Sequence, residues 1–242
     1  MRMSRRYKSR TRRLRPIGKL QASRCPAKSR TVATSNGSTK AINVIHITEC
    51  IVIAKATTLT NSYQVRESDH VNVKGFRMFK SIRNNANEPL WCHIAIMTSK
   101  VHDDDVAISD AARTEMTEEF WRDTVSNRVT DLDFTAQSSA QFMNNTINTD
   151  RWIILGRWKK LLAANITGFD NRKRHWHWKK YIKFNRQLTF DNTNDKPESG
   201  RTFLVYWFHP VFKNALVAPT IDVEPTVQND IRIFFKEAPC LY

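Results

Sequence analysis

Apolar and polar side chains alternate most cleanly over residues 176–190. There Trp176, Trp178, Ile182, Phe184, Leu188 and Phe190 occupy even positions, with Lys, Arg and Gln between them. A period of two sustained for fifteen residues predicts a long strand with one buried face. Runs rich in β-branched and aromatic residues predict further strands at 41–53, 71–82, 90–97, 151–162, 202–209 and 227–236. Gly75, inside the second of these, marks a bulge or a close backbone approach. Turn chemistry separates the runs: RNNANEP at 83–89, DNTNDKPESG at 191–200, and three prolines within 210–226. The rhythm breaks over 101–149. Residues 109–123 (SDAARTEMTEEFWRD) read as a helix capped by Ser109 or Asp110, and 137–149 (QSSAQFMNNTINT) as an irregular loop. Strands separated by long insertions predict a mainly β domain, a sandwich or jelly roll in preference to a barrel of tight hairpins.

The 242 residues are 40% hydrophobic, with 13 Phe and 7 Trp, enough to bury a core without staples. No apolar run reaches the roughly 18 residues that a membrane-spanning helix needs. Cys25, Cys50, Cys92 and Cys240 stand far apart with no CxxC pair, which speaks against a zinc knuckle or a disulfide scaffold and for a reducing compartment.

Charge changes the picture more. The formal net charge is +16, but residues 1–48 carry 13 of the 39 basic residues and none of the 23 acids; the first acid is Glu49. Residues 49–242 are therefore close to neutral. The expected organisation is a disordered basic arm and linker over 1–40, with TVATSNGSTK at 31–40 as the linker, followed by one β-domain over 41–242. A free arm of this composition cannot bury enough surface to offset its ordering entropy, and its charges repel one another. Its natural partner is a polyanion, bound without regard to sequence and with strong salt dependence. The candidate nucleic-acid-binding residues are Arg2, Arg5, Arg6, Lys8, Arg10, Arg12, Arg13, Arg15, Lys19, Arg24, Lys28 and Arg30. The cluster from Arg5 to Arg15 also suits a nuclear import signal, which implies host import machinery as a partner. A mitochondrial transit peptide fits less well, because Pro16 and Gly18 interrupt the few apolar residues an amphipathic helix would need. A second candidate patch is Arg172, Lys173 and Arg174.

Catalytic chemistry finds little support. His175-Trp176-His177 places two imidazoles on one strand face, an arrangement that can hold a divalent metal in a nicking enzyme. Tyr181 lies in the same predicted strand, however, and cannot serve as the helix-borne nucleophile such an enzyme requires. His102-Asp103-Asp104-Asp105 lacks the graded spacing of a calcium loop. There is no GxSxG, HExxH, GxGxxG or GxxxxGK[ST]. The expectation is a protein that is not an enzyme and takes no metal or other cofactor.

An arginine-rich arm on a β-rich domain of this size resembles the capsid proteins of small viruses, most closely those with circular single-stranded DNA genomes. The arm at 2–15 and the segments 73–97, 147–161, 179–192, 202–210 and 229–238 look like the arm and successive strands of geminivirus- and genomovirus-type capsid proteins. The resemblance implies eight antiparallel strands in two facing sheets, a single jelly roll. It further implies self-assembly of about 60 copies into an icosahedral shell, with the arm turned inward onto a single-stranded DNA genome and each arm neutralising on the order of ten phosphates. The arm lacks a cysteine–histidine zinc pattern, so no metal is carried over. Virion and host nucleus are the implied locations, with no membrane partner. Two other classes stay open on the residues: a non-assembling nucleic-acid-binding β-domain of movement, shuttle or ribosomal type, and the capsid protein of a small RNA virus.

Overall fold

The computed structural model describes residues 27–56, 64–100, 120–122, 134, 139–166, 171–211 and 223–237. Ten strands occur among them: β1 (Lys28–Thr39), β2 (His46–Glu49), β3 (His70–Arg83), β4 (Leu90–Ser99), β5 (Trp121–Arg122), β6 (Thr146–Ile147), β7 (Trp152–Leu162), β8 (His175–Thr189), β9 (Thr202–Pro210) and β10 (Thr226–Glu237). One short helix, α1 (Ser139–Asn144), precedes β6.

The pairing follows a single rule. The chain is an antiparallel ribbon doubled on itself, so that β1 pairs with β10, β2 with β9, β3 with β8, β4 with β7, and β5 with β6. The ribbon is then rolled, which lays β10 also against β3 and β9 against β4. Two four-stranded sheets result, sheet I in the order β1-β10-β3-β8 and sheet II in the order β2-β9-β4-β7. This is the eight-stranded jelly roll, with β5 and β6 as an appended ribbon tip.

The burial of each strand explains its sequence pattern. Between the sheets lie Val71, Val73, Phe76 and Met78 of β3, Ile231, Ile233 and Phe235 of β10, and Trp178, Phe184 and Leu188 of β8. They pack toward Cys92, Ile94 and Ile96 of β4 and Leu204, Tyr206 and Phe208 of β9. A second core covers the other face of sheet II. Ala95, Met97, Phe203, Val205 and Trp207 meet Phe120, Trp121, Phe134, Phe142 and Ile147 from the segment between β4 and β7. β4 and β9 are therefore buried on both faces and read as continuous apolar runs, whereas β3, β8 and β10 alternate because only one face of sheet I is covered.

Several expectations are corrected. Residues 31–40 are not a linker: 28–39 form β1, paired along its length with β10, so the sandwich begins at Lys28 rather than at residue 41. The 41–53 run yields only the short β2, because the chain turns at 42–44, where Asn43 takes a left-handed conformation (φ 59°). Residues 137–149 are not wholly irregular, since α1 and β6 bring Phe142 and Ile147 onto sheet II. Of the helix expected at 109–123, residues 120–122 instead reach β5, and 109–119 and 123 lie outside the described residues. At Gly75 the expectation holds: the ladder slips between Val73 and Gly75 toward β8 and between Phe234 and Phe235 toward β10.

Candidate nucleic-acid interface

Sheet I has one face in the core and the other open. The open face follows from strand parity. On β3 it presents Lys74, Arg77, Phe79, Ser81 and Arg83; on β8, His175, His177, Lys179, Tyr181 and Lys183; on β10, Gln228, Asp230, Arg232, Phe234 and Lys236. Asp230 is the one carboxylate among them. The pairing register aligns these residues in rows. Arg77 of the central strand stands directly opposite both Arg232 and Tyr181, and Gly75 opposite both Phe234 and Lys183. Like charges directly opposite on a sheet face are destabilising, so the Arg77–Arg232 register favours an anion above it. Among the described residues, no carboxylate forms an ion pair with Lys74, Arg77, Lys179, Lys180, Lys183 or Arg232.

At the end of this face nearest the start of β1 the surface dips into an open groove of about 650 Å³, lined by Ala27, Lys74, Arg77, Lys179, Lys180, Tyr181 and Phe234. Gly75 shapes its floor. A Cβ there would stand 2.3 Å from the Ile182 carbonyl oxygen and 2.8 Å from the Tyr181 hydroxyl oxygen. Without that carbon, the Tyr181 ring lies over β3 and reaches Phe234, centroid to centroid 6.1 Å. Tyr181 is nevertheless 56% exposed, the highest value for a large apolar side chain among the described residues.

The sequence-derived site residues divide by position. Arg2, Arg5, Arg6, Lys8, Arg10, Arg12, Arg13, Arg15, Lys19 and Arg24 lie outside the described residues, as do Cys25, Cys240 and the 102–105 carboxylates. Lys28 is not an open arm residue. It is buried at the start of β1, its Nζ donating to Glu237 at 2.8 Å and Glu67 at 2.9 Å. Burial pulls its pKa down, but the two carboxylates outweigh this and the net displacement is upward. Arg30 is half-buried in β1, opposite Ile233. Both are thus structural members of sheet I. Arg172, Lys173 and Arg174 form a single 3-10 turn (Asn171–Arg174) leading into β8. Arg172 and Lys173 are exposed, while half-buried Arg174 donates to the Asn165 side-chain carbonyl. The triplet adjoins the row containing Arg83 and His175, which lengthens the basic face. His175 and His177 do share that face, with ring centroids 6.3 Å apart. Burial, then Arg83, Arg174 and His177, hold His175 below its ordinary pKa, and this cationic company disfavours a metal cation there. Among the described residues no group of three or more His, Cys, Asp or Glu is placed to hold a metal ion.

Sequence reasoning placed Lys179 and Lys183 on an outer face but missed the groove. Of these two only Lys179 lines it, beside Lys180 and Tyr181 of the same strand, and only the register brings Lys74, Arg77 and Phe234 beside Tyr181.

The interior also carries polar groups. Lys80 is fully buried between the sheets; its Nζ donates to Asn229 Oδ1 at 2.6 Å and sits 3.2 Å above the Tyr206 ring centroid. Burial drives its pKa well below the ordinary value. Burial likewise raises the thiol pKa of Cys50 and Cys92, two free cysteines in the same core.

No protein-family model matches the chain, and no curated protein sequence matches it. Solved structures similar to it include that of Desmodium yellow mottle tymovirus, at 12% identity and TM-score 0.35 over 90% of each chain. Another is the empty head of turnip yellow mosaic virus, at 9% identity and TM-score 0.32 over 90% of this chain and 84% of that one. A third is the VP1 pentamer of human polyomavirus 6, at 10% identity and TM-score 0.23 over 85% of this chain and 98% of that one. These likenesses are distant; the jelly roll itself is defined by the strand order given above.

Proposed function

We propose that this chain is a viral capsid protein whose jelly roll assembles with copies of itself into an icosahedral shell, and whose arginine-rich arm holds a single-stranded DNA genome and directs nuclear import. One observation carries the reading. Ala27, to which the basic segment 1–26 is joined in sequence, lines the same groove as Lys74, Arg77, Lys179 and Lys180 on the open face of sheet I, so the basic segment joins the domain beside its exposed cations. A polyanion bound by the basic segment would find further cations where that segment joins the domain. The opposite side of the sandwich is covered by Phe120, Trp121, Phe134, Phe142 and Ile147. DNA is preferred to RNA on the resemblance noted in the sequence, because a basic arm by itself treats the two alike.

The test is negative-stain electron microscopy of the purified full-length protein, with the ultraviolet absorbance ratio measured on the same fractions. Uniform closed particles that carry nucleic acid are the expected result, and nuclease digestion of the extracted polymer separates DNA from RNA. Monomers or dimers at every salt concentration and pH, with single-stranded DNA added, would overturn the capsid reading in favour of a non-assembling binder.

A further inference from the structure

We propose that the groove between β3, β8 and β10 is a second nucleic-acid site, distinct from the arm, that takes a short single-stranded segment with an unpaired base stacked on Tyr181. The inference rests on the functional reading only in taking the polyanion to be nucleic acid; it does not require that the chain form a shell.

Three independent features converge there. Lys74, Arg77, Lys179 and Lys180 line the groove, and among the described residues none of them has a carboxylate partner. Such a cluster suits an external anion, and the Arg77–Arg232 opposition adds to the attraction. Second, an aromatic side chain is held open among these cations. Tyr181 belongs to the outward set of β8 yet does not extend away from the sheet; it lies across Gly75, with Phe234 at its edge and more than half its surface in solvent. A fixed, exposed ring ringed by bases is the arrangement that stacks an unpaired nucleobase while its phosphates are neutralised nearby. Third, the groove is of a size for a nucleotide or two rather than for a duplex, and Ala27, to which the basic segment is joined, lies on its rim.

The other available occupants fit less well. The chain's own arm carries ten Lys and Arg over 2–24 and no acid, so it is repelled by the groove lining. A purely apolar ligand would leave four cations beneath it unneutralised. A double-stranded segment keeps its bases stacked within the duplex and offers Tyr181 none.

The experiment compares affinities of the full-length protein for an oligothymidine of about twelve nucleotides, an abasic strand of the same length and phosphate count, and a blunt duplex. The arm's Lys and Arg are blind to bases, so the abasic strand reports the cations of arm and groove, while a gain for oligothymidine that depends on Tyr181 rather than on Tyr7 reports stacking in the groove. We expect the thymidine strand to bind about 5- to 150-fold more tightly than the abasic one, the range that stacking one base spans. Tyr181→Leu should abolish that gain without changing abasic binding, and Tyr181→Phe should keep it. Equal affinity of the wild-type protein for the two strands would overturn the proposal without any variant being needed. So would an undiminished thymidine preference in Tyr181→Leu, or an equal loss of duplex and thymidine binding. Particle formation, scored by microscopy on the same preparations, reports on the shell separately. A protein that never assembles but shows the Tyr181-dependent gain keeps this site and loses the capsid reading.

Discussion

His93 and His209 meet ring to ring on the covered face of sheet II, Nε2 to Nε2 at 3.0 Å. The second hydrogen bond of His209 assigns the protons. Its Nδ1–H donates to the Pro210 carbonyl at 3.1 Å, so its Nε2 is the bare acceptor and His93 Nε2–H is the donor. His93 stacks on Trp207 and His209 on Phe142 of α1, so the pair joins the sheet to the insertion that covers it.

That pair predicts acid-labile packing. Burial foremost, then His209, Arg157 and Lys159, push His93 down to about 2; burial pushes His209 down to about 4, against a smaller raising effect of its bond to Pro210. Both folded-state values lie below that of an unfolded histidine, near 6.5. The unfolded chain therefore binds more protons in acid, and stability that is complete above about pH 6.5 is lost as pH falls toward 4. The loss is at most about 1.4 kcal/mol per pH unit for each histidine. Thermal melts from pH 7.5 to 4, followed by tryptophan fluorescence of Trp121 and Trp207, should show a steep decline that His93→Gln blunts. Parallel curves for the wild type and the variant would refute the linkage.

Truncation separates the arm from the sandwich. Removal of 1–26 should leave the melting temperature within a degree or two and flatten the dependence of DNA affinity on salt. Removal of 1–31 takes Lys28 and the first part of β1 and should cost about 2 kcal/mol or more of stability. This is below the range for a fully buried pair, because Glu67 is largely exposed. Urea titration of the two truncations, side by side, checks the difference.

Gly75→Ala should destabilise the fold by about 1–3 kcal/mol, because the added methyl meets the Ile182 carbonyl, which is backbone and cannot swing aside. It should also displace Tyr181, so the preference for thymidine over abasic strand should fall together with stability. Denaturant melts and the binding comparison read the two effects.

Arg66 is the pin of the loop cluster at one end of the sandwich. It is fully buried and donates to Asp69 Oδ1 at 2.6 Å and to the carbonyls of Asp191 at 2.6 Å and Asn194 at 2.7 Å, with its guanidinium over Phe190. Arg66→Ala strands those acceptors and should cost about 3 kcal/mol or more. The hydrogen bonds from Arg66 and Lys55 hold Asp69 below the usual carboxylate range, so the part of this stability that depends on Asp69 should fade only in acid.

Lys80→Met should act in the opposite direction. The lysine is enclosed between the sheets and, among the described residues, has one hydrogen bond, to Asn229, and no carboxylate partner. Its depressed pKa means that the charged form is held less favourably in the fold than in the unfolded chain, which costs stability at neutral pH. A methionine of similar volume removes that cost, and the melting temperature at pH 7 should rise.

The sequence disclosed those parts of the fold whose signal is local. The alternation from Trp176 to Phe190 is visible because β8 has one wet face and one dry face, and LWCHIAIM and TFLVYWFH are visible as dense apolar runs because β4 and β9 are dry on both. β1 was illegible. TVATSNGST has the composition of a linker, and what makes it a strand is β10, almost 200 residues away. The groove was legible by halves. Lys179 shows on β8, while the arrival of Lys74, Arg77 and Phe234 beside it and the fit of Tyr181 over Gly75 depend on long-range register that no periodicity encodes.

The position of Lys28 has a mechanical consequence. Tension on the arm, as from a polymer condensing against it, enters the domain at the first residue of an edge strand, where hydrogen bonds would otherwise peel away one at a time. Lys28 is fastened at that point to Glu237, at the far end of the chain's last strand, and to Glu67 beyond the sheet. The load is thereby shared with β10, itself held by β3 along its whole length. A pull on the tail is thus resisted by β10 and Glu67 as well as by the first hydrogen bonds of β1.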